Sequence, residues 1–399
     1  MIYKITFPTL LLLSLFIATD AGAKNINETA LEILRNSQDF KSEILEFKSL
    51  ESSLKTDNNL PDPQLDGEYL VAPGDETNRW ATELSWGIDW PGVYSAKGKE
   101  AKKKLSAAEV ALNNKRTERL FEIKSLLLDY ILCKQKLLLL DQLTNNNDSI
   151  YRLSKKAAEN EELTVLDLNK IRLEYANIKG AKATVLAEEA SIESDLTALA
   201  GIDCSGVLKE LDCEFPIIYL PAEEMIGEKI KSAPVVNLAK SEVEAARQSK
   251  KVARMEALPS LSIGYKHAYE DGIHFNGGLL GISIPIFSSR GKQKAADASI
   301  LEAEFKVDAA TQSVESRVQQ SLSKLKLLKQ QIDEIEPILN NSDHNAILLK
   351  AYKSGLITMV DYLTERNYFI NAAMEFLSLK HSAAMAQIEL SKSLETVDF

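Results

Sequence analysis

The chain has 399 residues, a formal net charge of -11 and 45% hydrophobic residues, the composition of a folded protein. An acidic balance, with no basic stripe interleaved with aromatics, argues against a nucleic-acid partner, and Lys102-Lys103-Lys104 reads as a solvated helix face. No Gly-rich phosphate loop, nucleophile elbow or His-Glu-x-x-His pair occurs, and His267, His274, His344 and His381 show no ligand spacing; the chain is read as a non-enzyme with no cofactor and no metal site.

Residues 1–23 read as a secretory signal. Lys4 is a short positive start, Leu10 to Ala18 is an apolar run too short to span a bilayer, and Ala21-Gly22-Ala23 is a small-x-small cleavage site. The mature chain is expected to start near Lys24. No later stretch has about eighteen uninterrupted apolar residues, so a helical membrane span is not expected.

Residues 24–60 are read as one N-terminal helix, Asn27 to about Lys55, with Ala30, Ile33, Leu34, Phe40, Ile44 and Phe47 on its apolar side. Residues 61–91 are read as a first β-hairpin. Leu65, Gly67, Tyr69 and Val71 alternate with polar neighbours, Ala72-Pro73-Gly74-Asp75 is a turn cluster, and the chain returns from Trp80 to Trp90. In that return Trp80, Thr82, Leu84, Trp86, Ile88 and Trp90 share one face, and Ala81, Glu83, Ser85, Gly87 and Asp89 share the other. Eleven residues of period two suit a tilted membrane strand. Pro91 has no N–H to donate and ends the ladder.

Residues 92–201 are read as a long helical hairpin: a helix from about Ala96 to Glu159, about 95 Å long, and a return helix from Thr164 to Ala200 of about 55 Å. Residues 202–221 are an irregular connector. Cys204 and Cys213 lie there, and an oxidising compartment makes them candidates for a disulfide; Cys133 reads as a small buried hydrophobe. Residues 222–258 are read as one helix of about 54 Å. Residues 259–286 form a second hairpin, with Leu261, Ile263, Tyr265, His267 and Tyr269 on one face and a turn at Glu270-Asp271-Gly272. Residues 287–399 are a second long hairpin. Its outgoing helix, about Lys292 to Lys353, carries the seam Val307/Thr311, Val314/Val318, Ser321/Leu325, Leu328/Ile332 and Ile335/Leu339, a coiled-coil pattern. The seam in the first copy is looser: Leu120, Ile123, Leu127, Tyr130 and Leu137.

The chain therefore repeats itself. Pro91 is echoed by Pro285, and Leu163-Thr164-Val165-Leu166-Asp167 by Ile357-Thr358-Met359-Val360-Asp361, with a shift of about 194 residues. The return helices, only about 55 Å long, need stacked partners to match neighbours of about 95 Å, and residues 24–60 and 222–258 supply them. The chain offers four amphipathic strands. Four cannot close a barrel, and an open sheet with bare edges cannot sit in lipid. Strands that cross a membrane must then come from several copies of the chain.

Three features carry a resemblance over nearly all the mature chain: the tandem repeat itself, the strand exit Ile284-Pro285-Ile286-Phe287-Ser288-Ser289-Arg290-Gly291, and the helix tip Tyr352-x-x-Gly355-x-x-Thr358-x-Val360-Asp361-x-Leu363. The arrangement resembles the TolC-type outer-membrane efflux proteins. The fold this implies is mainly α with a small β part: long antiparallel coiled-coil hairpins, and four strands per chain shared in a trimeric twelve-stranded barrel. The function implied is an exit duct in the outer membrane of a Gram-negative bacterium, with helices reaching into the periplasm. The partners implied are two further copies of the chain, outer-membrane lipid, a periplasmic adaptor, and an inner-membrane pump of the resistance-nodulation-division or ATP-driven type, in efflux or type I secretion. A periplasmic adaptor or coiled-coil scaffold is the other reading, since adaptors also have long helical hairpins. The chain departs from the family at Ile357, where some relatives carry arginine, and at Thr364, where they carry a second acidic residue. Ala158 and Glu161 replace the tyrosine and glycine in the first tip, so a salt-bridged gate does not carry over.

At the two tips Thr164 and Thr358 are candidate N-caps, with Asp167 and Asp361 at the third helical position. Three copies of each carboxylate around one axis make a charged mouth, whereas the same carboxylates also suit the positive ends of their own helices. Tyr352 and Gly355 close the second tip. Trp80, Trp86, Trp90, Tyr69 and Tyr265 are candidates for aromatic belts at the membrane interfaces.

Overall fold

The computed structural model describes residues 24–71, 73, 78–160, 164–287, 290–340 and 344–395. The signal-like segment 1–23, most of the turn after Val71, Glu161, Leu163, Ser288 and Ser289 lie outside the described residues.

Ten helices and four strands are described. In chain order they are α1 (Ile26–Asn36), α2 (Gln38–Thr56), β1 (Gln64–Leu70), β2 (Arg79–Ile88), α3 (Pro91–Glu159), α4 (Val165–Ala200), α5 (Ser205–Leu208), α6 (Glu223–Lys231) and α7 (Pro234–Met255). They continue with β3 (Ser260–Glu270), β4 (Ile273–Ser283), α8 (Lys292–Asn340), α9 (His344–Lys353) and α10 (Met359–Leu394). The strands form one antiparallel sheet in the order β1-β2-β3-β4, so the two hairpins of the repeat are joined by β2 and β3.

Several expected elements are divided. The N-terminal helix is two helices, because Ser37 leaves the helix at φ -64°, ψ 145° and caps α2 by accepting the Phe40 N–H at 3.1 Å. The helix expected from Ala222 is also two: Pro234 cannot accept a preceding turn and starts α7 instead. The last outgoing helix is described as α8, with Pro337 inside it, and α9, and residues 341–343 between them lie outside the described residues. In the other direction, α3 is longer than expected. Pro91 ends the ladder and opens the helix, giving 69 residues or about 103 Å. Trp90 is its N-cap and not part of β2.

The long helices pack as the lengths require. The upper part of α3 meets α1, α2 and α7, its lower part α4 and α10; α8 packs on α7 and α10. The seam of α8 is buried at Val314, Val318, Ser321, Leu325 and Ile332, and closes one core with Phe376, Ala383, Ala386 and Leu390 of α10. In α3 the residues Leu120, Ile123, Leu127 and Tyr130 join Ala30, Ile33 and Leu34 of α1 in a second core. The chain start is pinned to the connector. The Lys24 backbone pairs with Glu210 and Asp212, and its ammonium lies 2.8 Å from both Glu32 and Glu210.

Candidate functional site: the two-faced sheet and the helix tips

A flat sheet has two faces, and the registers assign every side chain to one of them. One face carries Leu65 and Tyr69 of β1, Trp80, Leu84, Trp86 and Ile88 of β2, Leu261, Ile263, Tyr265 and Tyr269 of β3, and Leu280 and Ile282 of β4. No helix covers it. Leu280 is 88% exposed and Leu65 76%, and Phe287, just past the sheet, 84%. An apolar patch of this extent on an uncovered sheet marks a surface meant for another apolar phase. The other face carries Asp66, Glu68, Glu83, Ser85, Ser262 and Lys266, with Lys266 Nζ 3.8 Å from Glu83 and 4.0 Å from Glu68. Asp66, Glu68, Glu83 and Glu270 outnumber the cations of this face, Lys266 and Arg79, and Arg79 lies 3.3 Å from Glu270. At the β4 edge the division weakens, because Ile273, Phe275 and Leu279 share the polar face.

The aromatic residues fall at separate levels. Tyr69, Trp80, Tyr269 and His274 form one row across all four strands, beside the hairpin ends. Trp80 and Tyr269 stack with centroids 6.1 Å apart. Trp86 lies six residues further along β2, about 20 Å away, and its indole N–H donates to the Pro61 carbonyl at 2.7 Å. Trp90 sits where sheet becomes helix. Tyr265 is placed between these levels, opposite Leu84 and Gly278. Sequence reasoning missed Tyr269 and His274 as members of the row. The signal was the Asp271-Gly272 turn, whose positive φ values of 49° and 80° fix a two-residue loop and make residues 269 and 274 partners.

At the opposite end the two tips come together. Ile171 of α4 packs with Met359, Tyr362 and Leu363 of α10, bordered by Tyr151 and Tyr352. Thr358 and Asp361 form a complete capping box: the Asp361 N–H donates to Thr358 Oγ1, and the Thr358 N–H to Asp361 Oδ2, both at 3.1 Å. The hydrogen bonds from the Thr358 hydroxyl and N–H hold the Asp361 carboxyl below the usual range. Thr164 accepts the Asp167 N–H at 3.1 Å, the one-sided version of the box, and Asp167 lies 3.8 Å from Lys170. Gly355, at φ 73°, ends α9 in a Schellman turn: the Leu356 N–H reaches Ala351 and the Gly355 N–H reaches Tyr352, both at 3.0 Å. Burial between the helices raises the Tyr352 phenol, whose ring lies 5.6 Å from that of Tyr362.

One tip residue was not foreseen. Arg366 of α10 is 1% exposed and reaches towards Glu174 of α4 at 3.9 Å, linking the return helices of the two repeats. Its one-turn spacing from Tyr362 puts both on the same helix face, and that was the available signal. Cys204 and Cys213, the candidates for a disulfide, are free thiols in this structure. Cys204 is buried and its S–H is directed at the Leu196 and Ile202 carbonyls, while that of Cys213 is directed at Leu211. Burial raises both thiols.

The described fold is thus a sheet with one apolar and one charged face, bare at both edges, continued by α3 of 69 residues and α8 of 49 residues. Residues 225–395 match the family model described as outer membrane efflux protein. The resemblance to the TolC-type proteins read from the sequence is thereby borne out. Among solved structures, the chain is similar to the CmeC outer membrane channel of Campylobacter jejuni, at TM-score 0.74 and 17% identity over 98% of this chain and 93% of that one. It is similar to the open state of the MtrE outer membrane channel of Neisseria gonorrhoeae, at 0.75 and 14% over 92% and 88%. It is also similar to the outer membrane protein VceC of Vibrio cholerae, at 0.72 and 16% over 92% and 95%. At these identities the likeness is one of fold. No curated protein matches the sequence.

Proposed function

We propose that the chain is the outer-membrane exit duct of a tripartite efflux or type I secretion system. It works as a homotrimer, passive in itself, and receives its cargo from an inner-membrane pump, of the resistance-nodulation-division or ATP-driven type, through a periplasmic adaptor. The observation that carries the reading is the sheet. Its uncovered apolar face needs lipid, its charged face suits water, and β1 and β4 present unpaired backbone that only further strands can satisfy. Three copies give twelve strands, enough for a barrel with an open lumen. In this reading α3 and α8 carry the lumen from the membrane to the tips. A periplasmic scaffold has no use for the apolar sheet face.

The test is the mass and conductance of the protein extracted in mild detergent. Three copies per particle and discrete conductance steps in a planar bilayer are expected. A monodisperse single copy with its strands intact, or protein released from membranes by salt alone, would overturn the proposal.

A further inference from the structure

We propose that the cavity where α3, α7, α8 and α10 meet binds the phosphate group of a small ligand. The cavity holds about 410 Å³, and the site stands independently of the channel reading.

Its lining is polar where helix packing calls for apolar residues. Ser321 stands in the α8 seam between the apolar Val318 and Leu325, and is 6% exposed. Thr117 of α3 lines the same cavity at 2% exposed, and its hydroxyl has no hydrogen-bond partner. A buried hydroxyl left unpaired is costly, and a ligand oxygen that accepts from it removes the cost. Asn114, one turn before Thr117, donates from Nδ2 to the Pro234 carbonyl at 2.9 Å and so fixes the start of α7 at the cavity wall.

That start is an open helix N-terminus. No side chain caps α7, no acidic residue lies in its first turn, and Pro234 at its first position leaves the Val235 and Val236 N–H groups as the open donors. The positive end of a 22-residue helix favours an anion. Three cations line the same cavity, Arg317 and Lys324 of α8 and Lys392 of α10. None of the three forms an ion pair among the described residues. Glu118 and Glu389 also line it, so three cations face two carboxylates and the helix end adds to the positive side. An arginine, two lysines and backbone N–H groups together suit the several acceptor oxygens of a phosphate. The two carboxylates are acceptors for hydroxyl groups carried by the rest of the ligand, which points to a phosphate ester of a hydroxylated compound.

The test is equilibrium dialysis of the full chain in detergent against inorganic phosphate and against glycerophosphate. Saturable binding at one per chain is expected. Tighter binding of the ester assigns the site to phosphate esters, and equal affinities assign it to the free ion. Arg317→Gln and Lys324→Gln should each weaken binding about tenfold. Thr117→Val keeps the shape and removes a hydroxyl that has no partner in the protein. It should leave thermal stability unchanged and weaken binding severalfold, which a purely structural threonine would not do. Lys250→Gln, on the far part of α7, should change nothing. Failure of both probes to saturate the wild-type chain overturns the site. So does an Arg317→Gln/Lys324→Gln variant that keeps wild-type affinity. If a variant does not fold, wild-type binding alone decides.

Discussion

Thr358 and Asp361 bind each other and the first turn of α10 at the same time. Removing the threonine hydroxyl leaves the Asp361 N–H without its acceptor, so Thr358→Ala should cost about 1 kcal/mol of local helix stability. Faster hydrogen exchange of the amides from Met359 to Tyr362 would register it. The carboxylate contribution has a definite pH sense. The folded Asp361 carboxyl is held below its ordinary value, so its stabilisation is complete above the usual carboxylate range and is lost as pH falls through the lowered value. Asp361→Asn should exchange its first-turn amides faster than wild type at neutral pH, and the two should converge in strong acid. In the proposed channel, neutralising Asp167 and Asp361 together should lower cation selectivity in planar bilayers while trimers still form; unchanged selectivity would confine both residues to capping. Arg366 tests a different balance. Arg366→Leu leaves Glu174 without its cation in a tip where little water reaches, and a loss of about 3 kcal/mol is expected. A double-mutant cycle with Glu174→Gln measures how much of it belongs to the pair. The caps were legible in the sequence, because a threonine three residues before an aspartate is a local signal. Arg366 was not, because its partner lies on another helix and nothing in a single sequence brings the two together.

Among the elements, the seam of α8 was the most legible, since four-residue steps repeated every seven residues admit one buried face. Leu325, 0% exposed at its centre, should cost about 3 kcal/mol when truncated to alanine, and thermal unfolding of the helical signal would show it. The helix boundaries were less legible for a physical reason. Ser37 and Pro234 interrupt patterns whose hydrophobic period continues on both sides of them. Period reports which face is buried, whereas the break depends on one backbone torsion or one missing N–H. Pro91 misled in the opposite way: a residue that ends a ladder also has the φ that opens a helix.

For the whole molecule, period-two alternation revealed the strands and counting them revealed the need for partners. The sequence did not reveal that the two hairpins share one sheet, since pairing of β2 with β3 joins segments some 180 residues apart and leaves no local trace. The assembled face has a measurable consequence. In bilayers of brominated lipids, Trp80 and Trp86, about 20 Å apart near the two ends of β2, should both be quenched, and more strongly by bromines near the headgroup than by bromines at mid-chain. Single-tryptophan variants separate the signals, and no quenching of either would place the apolar face away from lipid.

Pro337 gives the two long legs different mechanics. The 69-residue α3 keeps its hydrogen-bond ladder along its whole length, whereas α8 loses one rung near its far end, where proline cannot reach back to Asp333. A load applied at the tips then meets a stiff strut on one side of each protomer and a compliant one on the other. In the proposed trimer the six legs are three and three. Bending would therefore change the mouth from a near-hexagon to a triangle, in the manner of a tripod whose alternate legs give, and would not dilate it evenly as a ring of equal springs does.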